Sequence, residues 1–437
     1  MIRRIADKAA DLVNAASPIA SEISLSSAAK SMRNAGRWLD QRNSYGRQDM
    51  INVLKNKDID AKRLGEYIAC SAPLHLSDGW NYLSRAFEAA LRGDRSSSYH
   101  LAYYAELRAA MSLLATEGIG IFDRQHIAID AQMLTTQFQD STHQATWKLL
   151  KAWSERTDSA VRFLDSIMLE SRSLSEWLEA AGVVEPSRSL VAREWLLSWS
   201  VDLELFSKDQ SRRNEMSYRP TRIRSHALTP VNPDVELVDP LYNSWAELRP
   251  TIAGAEAALD VSLLRRALLF AMRKGLCTHR KLDRALASFS QLEPPLSPLT
   301  SEELETESES AKAIFEAAQR NRAKETTVTP ILARALLMLR LASASTSSLL
   351  KAAQISKSDL EFWWAPLGTD LGFWDAADDI DLFSDLWADV QEAHETAEKC
   401  ILELSGNHSM RSVAGCLTSK ASLTQFSRTP MWLLGLD

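Results

Sequence analysis

The stretch Ser77-Asp78-Gly79-Trp80-Asn81-Tyr82-Leu83-Ser84-Arg85-Ala86-Phe87-Glu88-Ala89-Ala90-Leu91-Arg92-Gly93 decides how the rest of the chain is read. Trp80, Leu83, Phe87 and Leu91 recur every three or four residues, the period that lines up side chains on one face of an α-helix. Ser77 or Asp78 can cap the start of that helix, and Gly93 can end it in a left-handed conformation. A second stripe follows: Leu101, Tyr104, Leu107, Met111 and Leu114. Its helix opens near the serines at 96–98 and closes at Gly118 and Gly120. Outward from this pair, the same period predicts helices over 142–155, 159–181 and 189–206. The last carries Trp195, Leu196, Leu197 and Trp199, which read as core.

Composition agrees. The 437 residues hold only 15 Gly and 14 Pro, roughly half the usual glycine, whereas many-stranded folds need frequent turn residues. Alanine and leucine, strong helix formers, are abundant. An all-α fold is expected, built as multi-helix bundles or an irregular helical array. Length suggests two or three domains: an N-terminal helical region over 1–76, a central bundle over 77–218, a connector over 219–250 and a C-terminal helical domain over 251–437. The connector is expected to be extended because Pro220, Pro230, Pro233, Pro240 and Pro250 interrupt any helix. Helices resume over 252–274 and 281–290. Pro294, Pro295 and Pro298 then introduce an acidic linker at about 291–311. No fixed-period repeat is present.

Charge and cysteines narrow the classes. A net charge of −7 gives no global attraction for nucleic acid or an anionic membrane, so any such site is local. Cys70, Cys277, Cys400 and Cys416 show no CxxC spacing, and neither a zinc site nor a disulfide framework is expected. The start, Met1 to Lys8, does not read as a signal peptide, and no run of 18 apolar residues suggests a membrane span. The expected setting is cytoplasmic. Phosphate-loop, GxGxxG, HExxH and GxSxG motifs are absent, and no metal or cofactor is expected.

Arg95-Ser96-Ser97-Ser98-Tyr99-His100 sets an Arg and a His five apart at the head of a helix, with an amphipathic helix on either side. This resembles the Arg-x4–6-His motif of HEPN domains over about residues 78–179. HEPN domains are helical, many are metal-independent ribonucleases, and their motifs usually face each other across a dimer. The resemblance implies His100 as general base and Arg95 as phosphate clamp, in a prokaryotic defence or stress setting. The chemistry is sound in principle: imidazole titrates near neutrality and guanidinium grips phosphate through two donors. The serines also read simply as helix caps.

Arg213-Asn214 followed by Tyr218 looks like the same motif with Tyr replacing His, and Tyr is a poor base at neutral pH. With Arg212, Arg219, Arg222, Arg224 and His226 it reads as the most basic stretch in the chain. That stretch is a candidate phosphate-contacting loop, or a set of arginines pairing with acidic helix faces. His126 and His75 read as structural histidines. From Lys357 to Lys399, twelve Asp and Glu stand against two Lys, interleaved with aromatics. Trp363, Trp364 and Trp374 are candidate partner-binding residues there, since adjacent tryptophans cannot share one helix face. Three functions follow: a helical adaptor with a protein partner or a second copy of itself, a HEPN-like ribonuclease acting on RNA, or a nucleic-acid-binding regulator.

Overall fold

The computed structural model describes residues 4–46, 59–169, 172–185, 187–191, 209–214, 235–248, 258–289, 308–319, 327–375, 384–403 and 421–434. Helices dominate. In chain order they are α1 (Ala9–Ala15), α2 (Pro18–Ala35), α3 (Ala61–Leu91), α4 (Arg95–Thr116), α5 (Thr142–Glu155), α6 (Thr157–Ser166), α7 (Leu174–Ala180) and α8 (Val235–Leu248). Then come α9 (Ala258–Arg273), α10 (His279–Phe289), α11 (Glu309–Gln319), α12 (Thr329–Ala352), α13 (Glu361–Asp370), α14 (Ser384–Glu403) and α15 (Thr429–Leu433). The architecture is an all-α helical array with small sheets at its margin.

The α3–α4 hairpin is the frame. Its turn depends on Gly93, whose φ of 78° is ready only for glycine. Asp94, not the serines, caps α4: its side chain accepts from the Ser97 amide at 3.0 Å. Helix α12 lies against both arms and is buried nearly all round, its two arginines paired with acidic side chains. Gly79 permits that approach, since a Cβ there would come within 2.7 Å of Leu339. Two polar contacts fix the register: Trp80 Nε1 donates to Ser343 Oγ (3.2 Å), and the Ser112 and Thr346 hydroxyls meet at 3.1 Å. The chain end returns to the same core. Phe426 stacks between Phe87 and Trp245, at 4.8 and 4.4 Å between ring centres. Early and late helices therefore share one hydrophobic core.

Several sequence expectations change. Helix α3 begins at Ala61, capped by Asp60, and carries Pro73 inside it. It runs unbroken past the start expected at 77–78 and the boundary drawn at 76/77. The long helix expected over 159–181 is broken after Ser166. Met168–Leu169 (β5) pairs with Arg172–Ser173 (β6), and Ser173 and Glu176 then form a capping box that starts α7. Within the expected extended connector, 235–248 is the helix α8 with Pro240 inside it; the rest of 219–250 lies outside the described residues. So does most of the helix expected at 189–206 and of the linker at 291–311.

Arg4–Ile5 (β1), Ile119–Gly120 (β2), Gln125–Ile129 (β3) and Thr135–Gln139 (β4) form a sheet of order β1-β4-β3-β2. Asp130 Oδ1 accepts from the Gln132 and Leu134 amides and so closes the β3–β4 turn. Cys400 is disulfide-bonded, against the expectation from spacing, whereas Cys70 and Cys277 are free thiols. Among the described residues no helix is long and apolar enough to cross a membrane.

Candidate functional site

Helix α4 presents Tyr99, His100, Tyr103 and Tyr104 toward two neighbours, the first turns of α5 and the short segment 209–214. His143 and Trp147, one turn apart on α5, close one side. The Trp147 indole N–H donates to the Tyr103 hydroxyl at 3.4 Å, and that hydroxyl meets His143 Nδ1 at 2.8 Å. With its oxygen accepting from Trp147, the Tyr103 O–H is free to donate to His143. In that arrangement His143 accepts on Nδ1 and carries its proton on Nε2. The His100 ring lies 5.0 Å from Tyr104 and the His143 ring 6.1 Å from it.

The 209–214 segment lays its cations on this aromatic face. Arg212 stands 5.0 Å over the Tyr99 ring. Arg213 stands 5.2 Å from the Tyr104 ring centre and 5.7 Å from that of Tyr103. Its guanidinium donates to the Tyr104 hydroxyl and to Asn214 Oδ1. Such stacking is attractive because the ring face is electron-rich. Burial lowers the affinity of His100 and His143 for a proton, and the nearby Arg213 charge lowers it further.

Beneath lies a buried ionic chain. The Tyr99 hydroxyl donates to Asp209. Arg334 of α12 reaches Asp209 Oδ2 at 3.1 Å and Glu106 Oε1 at 3.3 Å, and all three side chains are without solvent exposure. It also donates to the Ala318 carbonyl at 3.0 Å. Burial pushes the Glu106 carboxyl up to about 8, against the pull of Arg334. A guanidinium between Asp209 and the Glu106 carboxyl joins α4, α12, the end of α11 and 209–214 at one point.

The sequence candidates are distributed differently from their spacing. Arg95 is the first residue of α4, and five residues along an α-helix turn His100 roughly 140° away from it. The helix therefore does not bring the pair onto one face. Arg213, from the second motif, does approach His100. Arg212 and Arg213 both turn into the fold, while Arg219, Arg222, Arg224 and Tyr218 lie outside the described residues.

The tryptophans are anchored within the chain. Trp363 packs edge-on against Trp38 at 5.3 Å. Trp364 is buried, its N–H on the Lys357 carbonyl at 2.9 Å. Trp374 donates to the Ala365 carbonyl and packs where any side chain at Gly368 would strike its ring. Adjacent Trp363 and Trp364 both find apolar neighbours because α13 is covered on two sides. His126 is a sheet residue: its Nδ1 accepts from the Phe122 amide and its Nε2 meets the Asp140 carbonyl. His75 lies against Arg108, and burial with that charge pulls it down to about 3.

Sequence reasoning missed His143, Tyr103, Glu106, Asp209 and Arg334. Two of these left a signal. Glu106 and Arg334 each interrupt an apolar helical stretch, Tyr103 to Leu107 and Ile331 to Leu339, where an unpaired charge would not be tolerated.

The chain falls in the broad class of all-helical array proteins. No family model, curated protein or solved structure matches it.

Proposed function

We propose that this chain is a non-catalytic helical interaction subunit of a prokaryotic multiprotein assembly, working in the cytoplasm in a defence or stress setting. The setting follows from the HEPN resemblance alone. The observation that carries the adaptor reading is the inward turn of Arg213. A phosphate clamp needs an open guanidinium fork, but here the fork is filled by Tyr104 and Asn214 and the residue is 8% exposed. An adaptor needs apolar side chains left outside. Ile19 and Ile23, one turn apart on α2, are 51% and 50% exposed.

A second reading, a metal-independent ribonuclease, is favoured by one observation: two neutral imidazoles, His100 and His143, flank the same Tyr104 ring within the field of Arg213. One imidazole would take the 2′-OH proton as that oxygen attacks phosphorus. The imidazolium so formed would then give a proton to the departing 5′-oxygen.

The deciding experiment incubates the full chain with transfer RNA and single-stranded RNA in EDTA, beside His100→Ala, His143→Ala and Arg213→Ala. The adaptor reading expects no cleavage above buffer from any of the four. It also expects light scattering to show a mass above the monomer that falls in Ile19→Glu/Ile23→Glu if the partner is a second copy. Cleavage by the wild type that both histidine variants lose would replace it with the ribonuclease.

A further inference from the structure

The structure holds a cationic surface that the sequence reading passed over, at the corner between α9 and α10. The stretch Arg273-Lys274-Gly275-Leu276-Cys277-Thr278-His279-Arg280-Lys281-Leu282-Asp283-Arg284 carries five Arg and Lys against one Asp in a chain of net charge −7. Arg273, Arg280, Lys281 and Arg284 are all exposed. None of these four forms an ion pair among the described residues. By contrast, Arg33, Arg63, Arg92, Arg156 and Arg188 each rest on a carboxylate.

The corner is held firmly. Gly275 turns the chain at a φ of 72°, and the Leu276 amide bonds back to the Ala271 carbonyl at 2.9 Å, closing α9. Cys277 is buried, with its thiol on the Ala181 carbonyl at 3.2 Å. Leu282 is buried on the inner side of α10. The Lys281 stem passes so close to Gly182 that a Cβ there would lie 3.0 Å from it. The cations therefore project from a fixed scaffold.

Their placement is electrostatically adverse. The N-terminus of a helix carries partial positive charge and favours acids. The first turn of α10 has no acid and instead opens with His279, Arg280 and Lys281. Positive side chains gathered on a positive helix end repel one another until an anion joins them.

We infer that the α9–α10 corner is a docking surface for the phosphodiester backbone of nucleic acid, contacted by Arg273, Arg280, Lys281 and Arg284. Charge complementarity names the partner. A membrane surface would call for apolar side chains on the exposed face, and here Leu282 points inward while the outward residues are charged. Arginine forks and helix N-termini are the groups that hold phosphates in register without reading sequence. The surface is independent of the His100–Arg213 cluster, and an adaptor bearing it would recruit its assembly to nucleic acid.

The test is fluorescence anisotropy of the full chain with a labelled 20-nucleotide single-stranded RNA and, separately, a DNA duplex of the same length. Four phosphate contacts give a log–log salt slope of about −2.8 on the single strand, a roughly 50-fold weakening between 50 and 200 mM salt. Arg280→Glu/Lys281→Glu should weaken binding at least about tenfold. Arg85→Glu/Arg124→Glu makes the same change in net charge at two other exposed sites and should leave affinity within about twofold. Absence of wild-type binding at 50 mM salt overturns the inference. So does equal loss in both double variants, or tighter binding to anionic phospholipid vesicles or polyglutamate than to either nucleic acid.

Discussion

In residues 209–214 two arginines face inward, onto Tyr99, Tyr103 and Tyr104, and Asp209 joins Arg334 beneath them. In residues 273–284 Arg273, Arg280, Lys281 and Arg284 face outward, with no ion pair among the described residues. By composition the two stretches look alike, and the first even carries the motif-like pair Arg213-Asn214. The contrast lies in what each packs against. The first crosses an aromatic helix face above a buried carboxylate, where a guanidinium gains ring and hydrogen-bond contacts. The second sits on a helix corner whose inner side is already closed by Cys277 and Leu282, so Arg273, Arg280, Lys281 and Arg284 turn their charges to solvent.

The largest test of this comparison is Arg334→Ala. It leaves Glu106 and Asp209 buried without their cation, and urea unfolding should show a loss of about 3–5 kcal/mol. A loss under about 1 kcal/mol would mean that the inward network does not hold 209–214 in place.

Next in size is the response to acid. His75, His100, His126 and His143 all bind protons less readily in the fold than in the unfolded chain. For a base with a depressed folded pKa, the unfolded state takes up more protons once pH drops below about 6.5, so stability falls there. Glu106, raised to about 8 by burial, acts in the opposite sense over this window, one group against four histidines, whereas Asp158 and Asp359, held low by their arginines, act only further down, below about 4. Thermal melts between pH 7 and 5 should therefore show a declining midpoint. Arg213→Gln, which removes the like charge beside His100 and His143, should make the decline shallower. An unchanged slope would place Arg213 away from the two imidazoles.

The smallest effect belongs to the corner. Arg280→Glu puts an acid where the helix dipole favours one, and should raise stability by about 0.3–1 kcal/mol at low salt, less at high salt. A clear loss would show that Arg280 is used within the fold, and would remove the contrast with Arg213.

Much of the architecture was legible before any coordinates. The helix over 142–155 matches α5 residue for residue, and Gly93 does end α3. A 3.6-residue apolar period and a left-handed glycine are local properties, and they need no knowledge of what lies opposite. The capping box Ser173-x-x-Glu176 was equally local, and reading it would have broken the helix expected over 159–181. Pro240 misled because tertiary packing can hold a helix through a proline that its own residues would avoid.

The site was legible only as residue types. His100 and Arg213 were each noted, but His100 was paired with Arg95, its neighbour in sequence, and helix geometry turns those two apart. The cluster joins residues 43 and 113 positions from His100, His143 and Arg213, and the Glu106–Arg334 pair spans more than half the chain. By itself the sequence determined the class of fold, the ends of helices such as α4 and α5 and the scarcity of strand, because each follows from the conformational preferences of a few consecutive residues. Only the tertiary structure decided which charges face inward and which outward. A charged side chain's role depends on the carboxylates, rings or water around it, and those arrive from distant parts of the chain.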